Sequence, residues 1–412
     1  MADAVYPVEG GSSDPQGGKA PLPPICVDGR LLDEPRSGVA HYGDRLVRAL
    51  AAHGQAPWRL DARLPEGEQS AAHGSDPRRF LKALRPWTRP ALVKPGGGQA
   101  GAWRGRMEGA DLFREAYLHF KLLGRLMPVR TEQASGIMHW TYPLPLRMAG
   151  WRNIYTIHDL IPLSTPDLSP VKGHRLARLI RAIAASADRI VTVTQAVRRE
   201  VIAATGCPPG LVVACHQAVD EGLAPAPPPP QDAPFFFCGS IEPRKNLVLL
   251  VEAYRLSGSR RPLVIAGEDG WRADDVRAAI GDAPGVIFKP FLDRAALLAR
   301  MGAARALLFP SLAEGFGLPV AEAMAMGVPV MTSTLPALAE VAGDAALLVD
   351  PTDGGAMAAA ISALDRDDAL CARLRQAGLA KAVDYGTHAY YERLERIYAD
   401  VAQYPRSAMA GA

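Results

Sequence analysis

The chain has 412 residues, enough for two or three domains with large cores, and 48% of them are hydrophobic against 22% charged. Forty-six Lys and Arg against 43 Asp and Glu leave a net charge of +3, too small to point to nucleic acid as a partner. Its five cysteines (Cys26, Cys207, Cys215, Cys238 and Cys371) lack the spacing of a metal site or a disulfide framework, so buried thiols in a reducing, cytoplasmic compartment are expected.

Residues 1–24 are rich in Gly, Pro and Ser and read as a disordered leader, without the basic and apolar regions of a signal peptide. No apolar run approaches the roughly 18 residues that span a bilayer. Ile25-Cys26-Val27 begins the ordered chain, followed by a loop from Asp28 to Gly38 and an amphipathic helix from about Val39. Pro, Gly and Arg are frequent from Pro57 to Gly105, which predicts irregular structure with short helices. Alternation returns with strands at Asn153–Ile157, Arg189–Val193 and Leu211–Cys215, and helices at Lys172–Ser186 and Gln195–Ala204. That pitch predicts a parallel sheet covered on both faces.

Residues 224–234 hold four successive prolines, a stiff extended connector between domains. After it, strands are expected at Phe235–Cys238, Leu263–Ala266, Val286–Phe288, Ala306–Phe309, Val328–Met331 and Ala346–Val349, with helical segments between them. The fold class is therefore α/β. The predicted organisation is an N-terminal domain over 25–223, a linker over 224–234 and a C-terminal domain over 235–385. A closing helix and tail over 386–412 is expected to pack back on the first domain. Ligands of such sheets bind outside the carboxyl ends of the strands.

Two loops after strands carry chemistry. Glu314-Gly315-Phe316-Gly317-Leu318-Pro319 follows the strand ending at Phe309 and opens a helix containing Glu322. The two glycines let a ligand approach the backbone, and free N–H groups at a helix start suit sugar hydroxyls and phosphate oxygens. Glu322 suits a pair of ribose hydroxyls; the plain alternative is a solvated glutamate. Gly239 and Ser240 end the strand at Cys238, followed by Arg244 and Lys245, with Asn246 as the expected cap of the next helix. An exposed Arg-Lys pair is usually a solvated turn, but at a strand end it can hold a diphosphate and stabilise it as it departs, in place of a divalent metal.

These residues, together with Glu322-Ala-Met-Ala-Met-Gly-Val-Pro-Val330, resemble the donor half of glycosyltransferase family 4, of GT-B fold. The resemblance implies two Rossmann-like domains facing a cleft and sugar transfer from a nucleotide diphosphate-sugar with retention. It implies no cofactor and no metal. Arg244 and Lys245 would bind the donor diphosphate, Glu314 would lie by the transferred sugar and Glu322 would bind ribose. In the first domain, Gly38-Val39-Ala40-His41-Tyr42 resembles the loop near the phosphates, and Ile157-His158-Asp159-Leu160 the strand-end histidine at the sugar. Base selection would rest on backbone near Phe291 and Leu292. The overall look is that of bacterial polysaccharide mannosyltransferases using GDP-mannose, with UDP- and dTDP-sugars left open.

Thr194 reads equally as a cleft residue or a helix cap, and Asp365-Arg366-Asp367 as a capped turn rather than a metal pair. Between Asp76 and Arg130, 12 Lys and Arg against 4 Asp and Glu are interleaved with Phe80, Trp87, Trp103, Phe113, Tyr117 and Phe120. This suits a saccharide or lipid-linked acceptor and an anionic membrane surface on the cytoplasmic side, or simply a solvated helical face. A nucleotide-sugar epimerase and a non-catalytic sugar-nucleotide-binding subunit are the rival functions.

Overall fold

A computed structural model describes residues 22–33, 38–63, 91–96, 101–133, 135–290 and 292–403. Residues 1–21, 34–37, 64–90 (with Phe80 and Trp87 of the basic stretch), 97–100, 134, Phe291 and 404–412 lie outside the described residues.

The first sheet is built from β1 (Ile25–Asp28), β2 (Trp58–Arg63), β3 (Ala91–Gly96), β4 (Gly105–Ala110), β5 (Met127–Thr131), β6 (Ile137–Trp140), β7 (Leu146–Met148), β8 (Arg152–Ile157), β9 (Arg189–Thr192) and β10 (Val212–Ala214). Its order is β10-β9-β8-β6-β1-β2-β4-β3-β5-β7. All neighbours are parallel except β3 and β4. The expected irregular stretch from Pro57 to Gly105 is thus corrected: where it is described, it contributes strands. β2 was hidden because its polar residues satisfy one another, Arg59 donating to Asp61 at 2.8 Å.

The second sheet comprises β11 (Phe235–Cys238), β12 (Leu263–Ala266), β13 (Val286–Lys289), β14 (Ala306–Phe309), β15 (Val330–Ser333) and β16 (Leu347–Val349). Its order, β13-β12-β11-β14-β15-β16, is all parallel. This is the doubly wound order, with its switch point between β11 and β14. Every residue of β11, β12, β14 and β15 is buried, as strands covered on both faces must be, and this explains their unbroken apolar runs.

The helix Thr387–Gln403 crosses from the second domain onto helix Gly38–Ala52 of the first. Its Tyr398 hydroxyl meets Nδ1 of buried His139 at 2.6 Å, and Nε2 of His139 meets Thr156 Oγ1 at 2.8 Å. One apolar core therefore runs without a break from the second sheet to one face of the first, while a second core fills the other face. The carboxyl ends of both sheets meet in one cleft. Among the described residues, no helix is long and apolar enough to cross a membrane.

Candidate active site

The two strands at the switch point of the second sheet each release a short loop into the cleft. Gly239 follows β11 with φ 143°, and a Cβ placed on Gly267, after β12, would lie 1.8 Å from the Gly239 carbonyl oxygen. Only glycine at 267 permits that approach. The chain then turns through Pro243–Lys245, and the Leu312 N–H donates to the Arg244 carbonyl at 2.7 Å, joining the β11 and β14 loops. Ser240 donates to Glu242 at 2.6 Å.

Arg244 and Lys245 are not a solvated turn. Lys245 Nζ lies 2.5 Å from Glu314 and 4.7 Å from the centre of the Phe309 ring, and Arg244 reaches Glu314 at 3.0 Å and Glu242 at 2.7 Å. Burial alone would raise the Glu314 carboxyl, but Lys245 and then Arg244 hold it below the usual carboxylate range. Burial pushes the Lys245 ammonium down, opposed by Glu314. The cluster is a preformed pair of cations with an internal counter-charge, which an incoming diphosphate can replace.

Asn246 corrects one expectation. It precedes helix Leu247–Ser257, but its side chain makes no capping bond. Instead its amide donates to the carbonyls of Pro310 (3.1 Å) and Pro351 (2.7 Å), pinning the ends of β14 and β16 beside β11. The geometry needs φ 60°, which asparagine tolerates.

Glu322 stands in the helix Leu318–Ala325, whose start at Gly317 requires φ 86°. It is not a solvated glutamate. It is 1% exposed and accepts from Arg45 at 2.9 Å and from both Nη atoms of Arg294. Asp220 completes the group, accepting from Arg45 Nε and Arg294 Nε at 2.7 Å each. Four charges from distant parts of the chain thus balance in a largely buried network. Arg45 and Arg294 hold Asp220 well ionised against its burial.

Sequence reading missed Arg45, Asp220 and Arg294. Only Arg45 left a signal: a cation within the buried face of its helix, beside Tyr42, Leu46 and Ala49. The two charge clusters flank the end of β11, where Cys238 feels both. Burial pushes its thiol up to about 12, with Glu322 adding to the rise and Lys245 and Arg294 opposing it. The four residues Arg244, Lys245, Glu314 and Glu322 therefore border one strand end, in two adjoining clusters rather than one.

The first domain closes over this face. A Cβ on Gly315 would sit 1.9 Å from the His158 carbonyl oxygen, so the two domains touch by backbone there. Thr194 does both things expected of it: its hydroxyl accepts from the Val197 N–H (3.2 Å) as a helix cap and donates to the Gly315 carbonyl (3.0 Å) across the cleft. Glu340 reaches the other way, accepting from the N–H groups of Gln195 (2.7 Å) and Ala196 (3.0 Å). His158 donates from Nε2 to the Thr141 carbonyl at 2.8 Å, leaving Nδ1 as its lone-pair nitrogen, and burial holds its pKa below the usual value.

Other expected residues sit apart. Gly38 opens its helix, exposed, with open space where a Cβ would lie. The Phe316 side chain is buried against His216 and Tyr385, so only its backbone can face a ligand. Leu292 is partly buried against the core. Asp365 pairs with Arg261 and Asp367 caps the helix Asp368–Ala382, as a structural turn would. Of the interleaved aromatics, Phe113 and Phe120 belong to the core, which weakens the basic stretch as a membrane face.

The chain is similar to known proteins. The family model for Glycosyl transferases group 1 matches residues 233–367. O-antigen chain mannosyltransferase B of Escherichia coli is 32% identical over 265 residues, covering 59% of this chain and 68% of the relative. The chain belongs to the group 1 glycosyltransferases. This glycosyltransferase is also 27% identical over 274 residues to the serotype-specific mannosyltransferase WbdA of Escherichia coli, a match over 60% of the chain and only 33% of WbdA. Sucrose-phosphate synthase from Thermosynechococcus elongatus superposes with a TM-score of 0.67 at 19% identity, covering 92% of this glycosyltransferase and 99% of that chain. HepE of Anabaena, solved with UDP and glucose, gives 0.63 at 14% identity, covering 92% and 100%. These solved structures share the GT-B fold.

Proposed function

We propose that this glycosyltransferase moves mannose from GDP-mannose to a saccharide or lipid-linked saccharide, with retention of configuration, in polysaccharide assembly at the cytoplasmic face of a membrane. The observation that carries the reading is the Arg244–Lys245–Glu314 cluster at the switch point, directly beneath the His158–Gly315 contact. The mannosyltransferase relatives support the choice of sugar.

In this reading the donor diphosphate takes Glu314's place on Arg244 and Lys245, and ribose hydroxyls donate to Glu322. As the bond from the anomeric carbon to the β-phosphate oxygen breaks, negative charge grows on that oxygen, where the two cations stabilise it. The ionised Glu314 then faces the positive charge developing on the sugar ring. The acceptor hydroxyl attacks from the side the phosphate leaves, forming the new C–O bond, and its proton passes to the departing phosphate. The products are the α-mannoside and GDP.

The test supplies radiolabelled GDP-mannose, UDP-glucose and dTDP-rhamnose separately with a bacterial lipid extract. The prediction is label transfer from GDP-mannose, with an α-linkage in the product by NMR. Transfer from another donor only, or a β-linked product, would overturn the assignment.

A further inference from the structure

The first sheet has a switch point of its own. From β1 the chain proceeds to β2 on one side, while β6 lies on the other. The crevice outside the ends of two such strands is where ligands enter doubly wound sheets. Asp28 is the last residue of β1, and Thr141 is the first after β6. Asp28 is fully buried, and one carboxylate oxygen accepts from the Thr141 N–H at 2.5 Å. The other, Oδ1, is buried with no hydrogen-bond partner among the described residues. The hydroxyl of the neighbouring Tyr142 is buried as well, beside that of Tyr117.

A carboxylate oxygen left unsatisfied at a strand end is costly, and native proteins retain such groups where something else supplies the partner. Around them lie Arg30, exposed, with its guanidinium 5.0 Å from the ring centre of Tyr117, itself 40% exposed. Burial pushes the Asp28 carboxyl up to about 6, outweighing the hydrogen bonds from Thr141 and the charge of Arg30 that oppose it.

The chemistry selects the ligand. An ionised carboxylate only accepts hydrogen bonds, so it repels phosphate and calls for hydroxyl donors. A hydroxyl-rich ring with apolar C–H faces suits a carboxylate beside an exposed tyrosine. The place is equally informative. Thr141 donates its N–H to Asp28 and accepts from His158, so one residue joins the crevice to the cleft wall against Gly315. Strand spacing across β1, β6 and β8 sets Asp28 and His158 roughly 10 Å apart.

We propose that Asp28, Tyr142 and the Arg30–Tyr117 platform form the subsite for the acceptor saccharide, with Asp28 Oδ1 accepting a hydrogen bond from an acceptor hydroxyl. This rests on the reading of the cleft as a sugar-transfer site.

The experiment screens the full chain, saturated with GDP, on an array of bacterial saccharides, then titrates the best-bound saccharide against Asp28→Asn and Tyr142→Phe. Both variants should bind it about tenfold more weakly or worse, with GDP affinity within about twofold of wild type. Asp28→Asn should also melt no lower than wild type, because it removes a charge whose burial outweighs its hydrogen bonds and keeps an oxygen for the Thr141 N–H. A residue serving only to pin Thr141 would instead lower the melting temperature and leave saccharide binding alone. Should Asp28→Asn fail to fold, Tyr142→Phe, which removes a single oxygen, decides. Unchanged saccharide affinity, or a wild-type protein that binds GDP and no saccharide, overturns the subsite. A wild-type protein that binds neither overturns the transferase reading beneath it.

Discussion

Exchanging Arg45 for methionine keeps the apolar stem of the side chain and removes the guanidinium joining helix Gly38–Ala52 to Glu322 in the opposite domain. Arg45 is 4% exposed and Glu322 2% by side chain, so water replaces little of the lost interaction. Removing one partner of a buried pair costs about 3–5 kcal/mol. Arg294 still bonds Glu322 and Asp220, and Asp220 is 28% exposed, which brings the expected loss to about 2–3 kcal/mol. A double-mutant cycle with Glu322→Gln in urea unfolding isolates the pair, and a coupling of at least about 1 kcal/mol is expected. Because the bond crosses the cleft, small-angle scattering of Arg45→Met should show a larger radius of gyration. Coupling under about 0.5 kcal/mol with unchanged scattering would show that the network neither stabilises the fold nor closes the domains.

Gly315→Ala places a Cβ 1.9 Å from the His158 carbonyl oxygen and forces the cleft apart. Transfer should fall by about 100-fold or more while GDP binding persists in calorimetry; full turnover would mean that closure there is not needed. His139 contributes to acid sensitivity. Burial lowers its pKa to about 3 from 6.5, so the unfolded chain gains a proton that the folded chain refuses. The stability it contributes is complete above about pH 6.5 and falls by about 1.4 kcal/mol per unit as pH drops toward 3. Urea midpoints of wild type should decline more steeply between pH 6.5 and 4 than those of His139→Gln, and parallel slopes would contradict this.

The second domain was legible because its strands are short apolar runs buried on both sides, and its functional loops follow those strands directly. Gly239, Arg244, Lys245 and Glu314 could thus be placed on one face from order alone. β2 was not legible, since Arg59 and Asp61 make a strand look like a loop until their pairing is seen. Nor was the company Glu322 keeps: residues 45, 220 and 294 are brought together only by the tertiary fold. Asn246 misled for a related reason, as its side chain serves two distant carbonyls and not its own helix.

The account turns on one nucleoside diphosphate lying across the end of β11 between the two charge clusters. Calorimetric titration of GDP, UDP and dTDP into wild type identifies the tightest ligand, which is then titrated into Arg244→Gln and Glu322→Gln. The expected order has GDP first, and each variant should weaken binding by about tenfold or more. Wild-type affinity in both variants would place the nucleotide elsewhere and contradict the site.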